Sequence, residues 1–319
     1  MKIAVVSTNV SNLYETGFGG IESCHNFYLS LIPKYNNISF NIVNNYKDIF
    51  EIVKAKPDFV ICGFKYFKTQ SDIIYMSKLF DEYNINYLGN NYETLIFDSN
   101  KVKAKDMMKS INIPTAKYKI FDEEESCKKN LSDLKYPLFA KPLTTACSFG
   151  VDKNSFITSL ENLENKVKNI KKIYNDKTLV EEYLPGREFT VSIIGNKNNI
   201  KIAPIELGEF SKDGYQFLTR DVKVENLENA RVVKNEIIKE LLVEYSKKIY
   251  EKLNIRDFGR IDYKLDNNEN PNFLEINLLP GFNKGRSYFP LSFEKNFGYS
   301  YENTINKVVE AGLVRVGLI

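Results

Sequence analysis

Short apolar runs alternate with longer mixed segments through the first hundred residues. The runs are rich in β-branched and aromatic side chains, as buried parallel strands are, and they cover residues 3–7, 38–43, 57–62 and 85–88. The segments between them have the mixed composition of helices and cover residues 22–35, 46–55 and 71–83. Strand and helix in alternation predict a parallel sheet with right-handed crossovers. We therefore expect an open α/β domain to about residue 95.

The pattern becomes predominantly β after about residue 178. Before that point the sequence predicts helices over residues 99–110, 123–134 and 155–174, and strands over 115–121 and 138–141. The first of these helices has Ser99 or Asp98 as its predicted cap and ends before Pro114. Beyond residue 178 the sequence predicts strands over 179–184, 189–194, 201–207, 258–264 and 273–277, and helices over 233–253 and 300–312. The turn sequence DNNEN joins the last two strands.

The composition excludes several classes of protein. The 319 residues carry 44 basic and 41 acidic side chains, and a net charge of +3 does not indicate a nucleic-acid partner. The four cysteines form no CxxC pair and His25 is the single histidine, which argues against a zinc site, a disulfide framework and a His-based triad. No run approaches the roughly 18 apolar residues that cross a bilayer, and the start MKIAVVS lacks a signal-peptide pattern. We expect a cytoplasmic protein that does not enter a membrane.

Charged side chains interrupt the two predicted strands at 258–264 and 273–277. Because strand side chains alternate, Arg260 and Asp262 lie on the same face of the first strand, and Glu275 and Asn277 lie on the same face of the second strand. If the strands pair as a hairpin, Asp262, Glu275 and Asn277 converge into a cluster of oxygen ligands that suits Mg²⁺. The alternative is a half-exposed hairpin with polar residues on its wet face.

A lysine ends the apolar strand at 138–141. Lys141 precedes a loop of small residues, 143–150, whose backbone N–H groups and Ser148 hydroxyl have the chemistry to cover a phosphate. The loop is not a Walker P-loop, since GxxxxGK[ST] is absent. The alternative is an ordinary surface lysine at a strand end.

Acidic residues frame the Pro-Gly turn at 185–186. The main chain of residues 181–184 has donors and acceptors that can read an adenine edge, and Glu188 can accept hydrogen bonds from ribose hydroxyls. An ordinary hairpin with charged edges is the alternative.

Two cations follow the second hairpin strand. Lys284 and Arg286 lie three and five residues beyond Gly281 in a glycine-containing loop. Neighbouring cations repel each other, and an anion that binds between or beside them would explain why the loop carries both. We expect Arg286 to bind a substrate carboxylate with help from the Ser287 hydroxyl; the alternative is a solvated basic loop.

The order and spacing of four segments resemble the ATP-grasp superfamily, and within it the D-alanine–D-alanine ligases over nearly the whole chain. The segments are PLFAKP, LVEEYLPGREFTV, FGRIDYKL and NFLEINLLPGF. The resemblance implies an ATP-grasp fold of class α/β with an α+β C-terminal part. It divides the chain into an N-terminal α/β subdomain on the substrate side (1–95), a central lid subdomain (96–184) and a C-terminal antiparallel-sheet subdomain with the metal and catalytic residues (185–319).

The resemblance also implies roles for individual residues. For ATP these are Lys101 and Lys141 at the phosphates, Glu181, Tyr183 and Leu184 at adenine, Glu188 at the ribose, and Leu274, which packs against the adenine or the core. Asp262, Glu275 and Asn277 match the magnesium ligands. Arg260 and the backbone at Gly281 match groups that stabilise a tetrahedral intermediate, and Ser148 lies where the phosphate loop matches best.

The amino-acid pockets depart from the ligase pattern. In the family a glutamate near the N-terminus binds the amino group of the first amino acid. Glu22 is the matching candidate here, but it lies farther from the first strand than the family's glutamate does. The loop SKDGYQFLTRDVK offers Tyr215, Arg220 or Lys223 in place of a Tyr-Lys pair. A Lys-Gly-Arg run precedes Ser287 where the family has a Ser/His-rich stretch. These departures put the identity of the product in question more than the reaction.

The function that we expect is an ATP-dependent acid–amino-acid ligase, of EC 6.3.2 type, that forms an amide through an acyl phosphate. The resemblance implies ATP and Mg²⁺ (with Mn²⁺ as a substitute), small amino-acid substrates, a homodimer, and D-alanyl-D-alanine for peptidoglycan as the nearest product. Another peptide or metabolite ligase, an ATP-binding module without catalysis, and a nucleotide-sugar glycosyltransferase suggested by GGIE at 19–22 remain alternatives.

Overall fold

The computed structural model describes residues 1–9, 17–68, 72–131, 133–144, 150–208 and 230–319, with backbone only at 129 and 130. Within these residues no helix is both long enough and apolar enough to cross a membrane.

The N-terminal part is the predicted parallel sheet. Strands β1 (Ile3–Thr8), β2 (Ile38–Val43) and β3 (Phe59–Cys62) lie in the order β2-β1-β3. The predicted strand at 85–88 forms only a parallel bridge between Tyr87 and Val60. Helices α1 (Ile21–Leu31) and α2 (Tyr46–Lys54) pack beside the sheet.

The predicted helix at 71–83 is shorter than expected. Strands β4 (Tyr66–Lys68) and β5 (Ile73–Tyr75) pair as a small antiparallel ribbon, so helix α3 begins only at Met76 and covers Met76–Glu82. The β-branched Ile73 and Ile74 favour this pairing over a helical turn.

The predicted helix at 99–110 is α5 (Lys101–Ser110), and neither Ser99 nor Asp98 caps it. A helix that the sequence did not predict, α4 (Tyr92–Ser99), precedes it. Asn100 has extended backbone geometry between the helices, and its side chain accepts a hydrogen bond from the Lys103 N–H at 2.9 Å. Asp98 instead pairs with Lys65 at 2.8 Å and accepts a hydrogen bond from the Leu278 N–H at 2.7 Å. The predicted cap is therefore wrong.

The central part is a four-stranded antiparallel sheet in the order β6-β9-β7-β8. Its strands are β6 (Tyr118–Phe121), β7 (Leu138–Pro142), β8 (Phe156–Ile157) and β9 (Thr178–Glu182), and its helices are α6 (Glu125–Asn130) and α7 (Leu160–Tyr174). The predicted helix at 155–174 begins later, after a 3-10 turn at Lys153–Ser155, because residues 156 and 157 pair with β7.

The C-terminal part is a five-stranded antiparallel sheet in the order β12-β11-β10-β13-β14. Its strands are β10 (Glu188–Asn196), β11 (Asn199–Glu206), β12 (Arg231–Val232), β13 (Phe258–Leu265) and β14 (Pro271–Asn277). Helices α8 (Glu236–Lys252), α9 (Tyr288–Phe297) and α10 (Tyr301–Arg315) accompany it. The sequence did not predict α9. The sheet is antiparallel throughout, so the second parallel domain that a glycosyltransferase requires is absent from the described residues.

The two faces of the five-stranded sheet differ in chemistry. One face carries apolar side chains, among them Phe189, Ile261 and Phe273, in a core shared with α4, α5 and α8. The other face carries charged and hydroxyl side chains at one end, among them Thr190, Arg260 and Asp262, and apolar side chains such as Ile194 and Phe258 at the other, where they pack in a second core. Because α4 and α5 belong to this core, residues 92–110 pack against the C-terminal sheet; the subdomain limits at 95 and 184 stay a prediction.

A buried carboxylate joins the two ends of the chain. Asp257 is inaccessible to solvent and accepts hydrogen bonds from the Gly89 N–H at 2.8 Å, from Asn196 at 3.0 Å, and from both sides of the Arg315 guanidinium at 2.8 and 2.9 Å. These partners come from the N-terminal part, β10 and α10. The network therefore fixes the N-terminal part and the last helix to the start of β13.

We expect Asp257→Ala to reduce the free energy of unfolding by about 3–5 kcal/mol, because it leaves the Arg315 charge without its counter-ion. Urea denaturation measures this change. The control is Glu251→Ala, which removes an exposed pair with Lys247 and is expected to change stability by less than about 1 kcal/mol. Equal losses in the two variants would contradict a structural role for Asp257.

Candidate active site

The polar face of the five-stranded sheet brings the predicted hairpin residues together. In the register of β13 with β14, Asp262 is opposite Glu275 and Arg260 is opposite Asn277. Directly paired residues of antiparallel strands point to the same face, so these four side chains form one group. The pairing confirms the predicted hairpin, and Ile276 packs into the apolar core as expected.

Four hydrogen bonds reach the Asp262 carboxylate. Arg260 donates from Nε to Oδ1 at 2.9 Å and from a terminal nitrogen to Oδ2 at 2.8 Å. Thr190 Oγ1 donates to Oδ1 at 2.5 Å, and Asn277 Nδ2 donates to Oδ2 at 3.1 Å. Burial lowers the pKa of Arg260, but Asp262 and Glu275 outweigh it and raise that pKa. Arg260 is therefore a permanent cation held rigidly by a bidentate ion pair.

The donor chemistry of this group fits a hard divalent cation. Asp262, Glu275 and Asn277 offer two carboxylates and one amide oxygen on one face, the ligand type that Mg²⁺ prefers. Among the described residues no group of three or more His, Cys, Asp or Glu side chains is arranged to hold a metal ion. Mg²⁺ in proteins commonly takes its remaining ligands from phosphate oxygens and water. The four hydrogen bonds described above occupy the lone pairs of the Asp262 carboxylate. A metal ion that binds Asp262 therefore has to displace at least one of these hydrogen bonds.

A second charged group lies where the central sheet meets helix α5. Glu181 on β9 pairs with Lys105 of α5 at 2.5 Å and with Lys141 of β7 at 2.7 Å, and all three side chains are buried or nearly so. Burial opposes ionisation of Glu181, but the two lysines hold its pKa down at about 2. Burial also lowers the pKa of Lys141, while Glu181 and Glu275 reverse this effect and raise it. Glu275 thereby links this group electrostatically to the hairpin.

The phosphate residues implied by the resemblance lie partly beside this group. Lys101, on the same helix as Lys105, donates to the Leu143 carbonyl at 3.2 Å. The Thr144 N–H donates to Asp176 at 2.7 Å, which fixes the start of the predicted phosphate loop. Ser148 lies outside the described residues.

The predicted adenine segment is partly used by the sheets themselves. The Glu182 N–H donates to the Lys117 carbonyl at 2.9 Å and the Tyr183 N–H donates to the Pro137 carbonyl at 3.0 Å. The side chain of Glu181 faces the two lysines. Leu184 follows the end of β9 and is largely buried.

The predicted ribose residue has a cationic neighbour. Glu188 is opposite Lys264 in the register of β10 with β13, and their charged atoms lie 3.9 Å apart. Burial lowers the pKa of Lys264, and Glu188 works against this shift. Leu274 lies at an irregularity of β14, between Phe273 (opposite Tyr263) and Glu275 (opposite Asp262), so it has no directly paired residue.

The loop after β14 places Gly281 against Ser287. A Cβ on Gly281 would stand 2.8 Å from Ser287 Oγ, which accepts a hydrogen bond from the Asn283 N–H at 2.9 Å. Lys284 pairs with Glu302 at 2.5 Å, so a carboxylate of the protein itself lies beside this cation. Arg286 is exposed beside Ser287.

Residues just before Glu22, the N-terminal candidate, contact the loop after β14. The Phe282 N–H donates to the Phe18 carbonyl at 2.8 Å, and Gly19 faces the Asn283 side chain so closely that a Cβ would collide with it. Glu22 is exposed in the first turn of α1, which begins two residues after Gly19. Tyr215, Arg220 and Lys223 lie outside the described residues.

Sequence reasoning missed several residues in or beside the two charged groups. They are Lys105 of the group around Glu181, Thr190 and Lys264 on the polar face, and Tyr288 at the start of α9. Lys105 had one usable signal, because it follows Lys101 by four residues and so lies on the same helix face. Thr190 and Lys264 alternate with Glu188 and Asp262 on their strands, which also places them on the polar face.

Comparison with known proteins gives consistent matches. The family model described as D-ala D-ala ligase C-terminus matches residues 107–310. D-alanine–D-alanine ligase of Carboxydothermus hydrogenoformans is 25% identical over 98% of both chains, and D-alanine–D-alanine ligase B of Clostridium perfringens is 27% identical over 98% of both. The crystal structure of D-alanine–D-alanine ligase from Bacillus anthracis complexed with ATP superposes with a TM-score of 0.78, at 20% identity and full coverage of both chains, and shows the same fold.

The charge of Glu181 predicts a dependence of stability on pH. Its folded pKa of about 2 lies below the ordinary value of 4.5, so its stabilising effect is complete above about pH 4.5 and is lost as the pH falls toward 2. We expect Glu181→Gln to be less stable than the unmodified protein at pH 7, with a difference that shrinks as the pH falls from 5 to 3. Urea denaturation at several pH values measures the difference.

The control for this prediction is Glu302→Gln, which removes the carboxylate of an exposed pair and is expected to have a small effect at every pH. A Glu181→Gln difference that stays constant between pH 7 and 3 would show that the pKa of Glu181 is the same in the folded and the unfolded protein, and would contradict the prediction.

Proposed function

The chain belongs to the D-alanine–D-alanine ligase family of ATP-grasp proteins, and from this premise we propose that its polar sheet face and the Lys105–Glu181–Lys141 group together bind Mg²⁺ and ATP. The protein is an ATP-dependent ligase that forms a dipeptide amide bond. The proposal concerns which residues perform this reaction and on which substrates.

One observation carries the proposal, namely the register that aligns Asp262 with Glu275 and Arg260 with Asn277. Anionic oxygens for a metal and a fixed cation are thereby adjacent on one face. Glu275 also acts electrostatically on both Lys141 and Arg260, which places the phosphate lysine and the hairpin in one electrostatic field. A non-catalytic nucleotide module does not require Arg260 in this position.

Lys141 is the residue that we assign to the phosphates of ATP. It is nearly buried, its pKa, which burial alone would lower, is raised by Glu181 and Glu275 so that it stays protonated, and it is held by Glu181 at 2.7 Å. Lys105 pairs with the other carboxylate oxygen, so Glu181 keeps a counter-ion when Lys141 turns toward phosphate. Lys101 adds a second cation from the same helix as Lys105.

The first step is attack of a donor carboxylate oxygen on the γ-phosphorus of ATP, which breaks the bond to ADP and gives an acyl phosphate. Negative charge builds on the transferring oxygens, and the lysines oppose it in a site shielded from water. Asp262, Glu275 and Asn277 would hold Mg²⁺, which supplies further charge neutralisation at the phosphates when bound.

The second step is attack of the acceptor amine on the acyl carbon. The oxyanion that forms is stabilised by Arg260 and by the backbone at Gly281, inorganic phosphate then leaves, and the amine loses a proton to give the amide. Asp262 fixes the Arg260 guanidinium by two hydrogen bonds, so the cation needs no reorganisation during the step.

The remaining assignments rest on resemblance and are proposals of the same kind. They are adenine at Tyr183 and Leu184, ribose at Glu188, the first amino group at Glu22, small amino-acid substrates, a homodimer and a cytoplasmic location. Glu188 is suited to its assignment because a buried carboxylate accepts hydroxyl hydrogen bonds strongly.

The test of the proposal is release of phosphate from ATP with pairs drawn from D- and L-amino acids, together with mass detection of the dipeptide. We expect release that needs Mg²⁺ and a suitable amino-acid pair, with dipeptide formed in equal amount. ATP hydrolysis that is independent of amino acids, or no release with any pair, would contradict the proposal.

We expect Arg286→Ala to raise KM for the acceptor amino acid about tenfold or more and to leave KM for ATP within about twofold. The reason is loss of a charge-assisted hydrogen bond to the acceptor carboxylate. Steady-state kinetics with each substrate varied in turn measures both constants.

Lys284→Ala is the matched control, because it removes a cation from the same loop that is already paired with Glu302. It is expected to change neither KM by more than about twofold. An unchanged acceptor KM in Arg286→Ala would retire the role of Arg286.

A further inference from the structure

Tyr288 lies where the loop after β14 meets the polar face of the five-stranded sheet. It is the first residue of α9 and directly follows Ser287, which lies against Gly281. Its ring packs on Ile205, Leu207, Ala230 and Leu291, and α9 lies across β10 and β11. The ring is therefore held by packing, one residue along the chain from the Ser287 that lies against Gly281.

The hydroxyl of Tyr288 is buried and has no hydrogen-bond partner among the described residues. The residue is 7% exposed, so water does not replace a partner freely. A buried hydroxyl without a partner costs free energy, and native proteins rarely retain one without a reason. Among the described residues the Tyr35 hydroxyl is also buried without a partner, but it lies outside the polar face. The buried hydroxyl of Tyr250, by contrast, donates to the Gly195 carbonyl at 2.7 Å.

The hydroxyl lies on the functional side of the sheet. Burial raises the pKa of Tyr288, Glu188 and Asp262 raise it further, and Arg260 lowers it, so these charges are close to it. The first turn of α9 is fixed over the sheet by Ser292, which donates to the Tyr288 carbonyl at 2.7 Å and lies 3.1 Å from the Ser192 hydroxyl. Ser192 is opposite Arg260 in the register of β10 with β13.

We propose that Tyr288 is a specificity residue whose hydroxyl pairs with a hydroxyl on the side chain of the acceptor amino acid, so that the ligase prefers a serine-class acceptor. The inference rests on the proposed function, because it needs Arg260 and Gly281 at the reacting carbonyl. A phenol hydroxyl both donates and accepts, which matches a second hydroxyl. Arg260 and Asp262 already pair with each other, so neither charge is left to bind a charged substrate. The site beside Tyr288 therefore favours an acceptor amino acid with a neutral side chain.

A site that is built to bond a substrate hydroxyl discriminates strongly against the analogue that lacks it, because its own polar group is then left unpaired. The matched substrates are serine and 2-aminobutyrate, which have nearly equal size and differ in hydroxyl against methyl. With D-alanine as donor, and with D- and L-acceptors assayed in parallel, we expect kcat/KM to favour serine by about tenfold or more.

The variant that tests the assignment is Tyr288→Phe, which removes only the hydroxyl. The preference for serine over 2-aminobutyrate is expected to fall to about twofold or less. Tyr250→Phe is the control, since it removes a paired hydroxyl from the apolar side of the sheet, and the preference should stay as in the unmodified protein.

Three results would overturn the inference. The first is equal use of serine and 2-aminobutyrate by the unmodified protein. This measurement does not depend on whether a variant folds. The second is a serine preference that survives in Tyr288→Phe. The third is weaker binding of an ATP analogue by Tyr288→Phe with the acceptor preference intact, which would place the hydroxyl at the nucleotide. Absence of amide formation with every acceptor would instead reject the proposed function, and this inference with it.

Discussion

The site depends on one buried carboxylate that is shared by two buried lysines. Glu181 lies between Lys105 and Lys141, and none of the three charges is tolerable in that environment alone. Lys105 belongs to a helix packed in the core of the C-terminal sheet, whereas Glu181 and Lys141 belong to the central sheet. The ion pairs therefore attach the two sheets to each other and hold Lys141, the lysine proposed to bind phosphate, at the place where they meet.

The second constraint is the division of the five-stranded sheet into two faces. Period-two alternation sends Phe189, Ile261 and Phe273 to the core and leaves Arg260 and Asp262 on the opposite face. A shift of register by one residue would exchange the faces and bury the charged set in the core, so hydrophobic packing itself enforces the alignment of Arg260 and Asp262 with their partners on β14. Fold stability and site geometry thus have one cause.

Most strands and the hairpin residues were predictable from sequence, because alternation and the DNNEN turn are local signals; the short strands β4 and β5 were not predicted. Lys105 was not recognised, since a helix lysine looks solvated until its distant partner Glu181 is known. Helix α9 was missed because its aromatic residues and Pro290 favour helix weakly; the proline is tolerated in the first turn, and tertiary packing of Phe289 and Phe293 stabilises the helix. The pairing of Lys284 with Glu302 likewise depends on two elements brought together by folding.

The most direct test of this account is the affinity for a non-hydrolysable ATP analogue with Mg²⁺, measured by calorimetry for Lys141→Met and Lys119→Met. Lys119 is on β6 of the same sheet and pairs with Asp133 at 3.0 Å, away from the Glu181 group. The account predicts that Lys141→Met weakens binding about tenfold or more, through loss of a charge-assisted contact to phosphate, and that Lys119→Met stays within about twofold. Equal affinities for the two variants would contradict it.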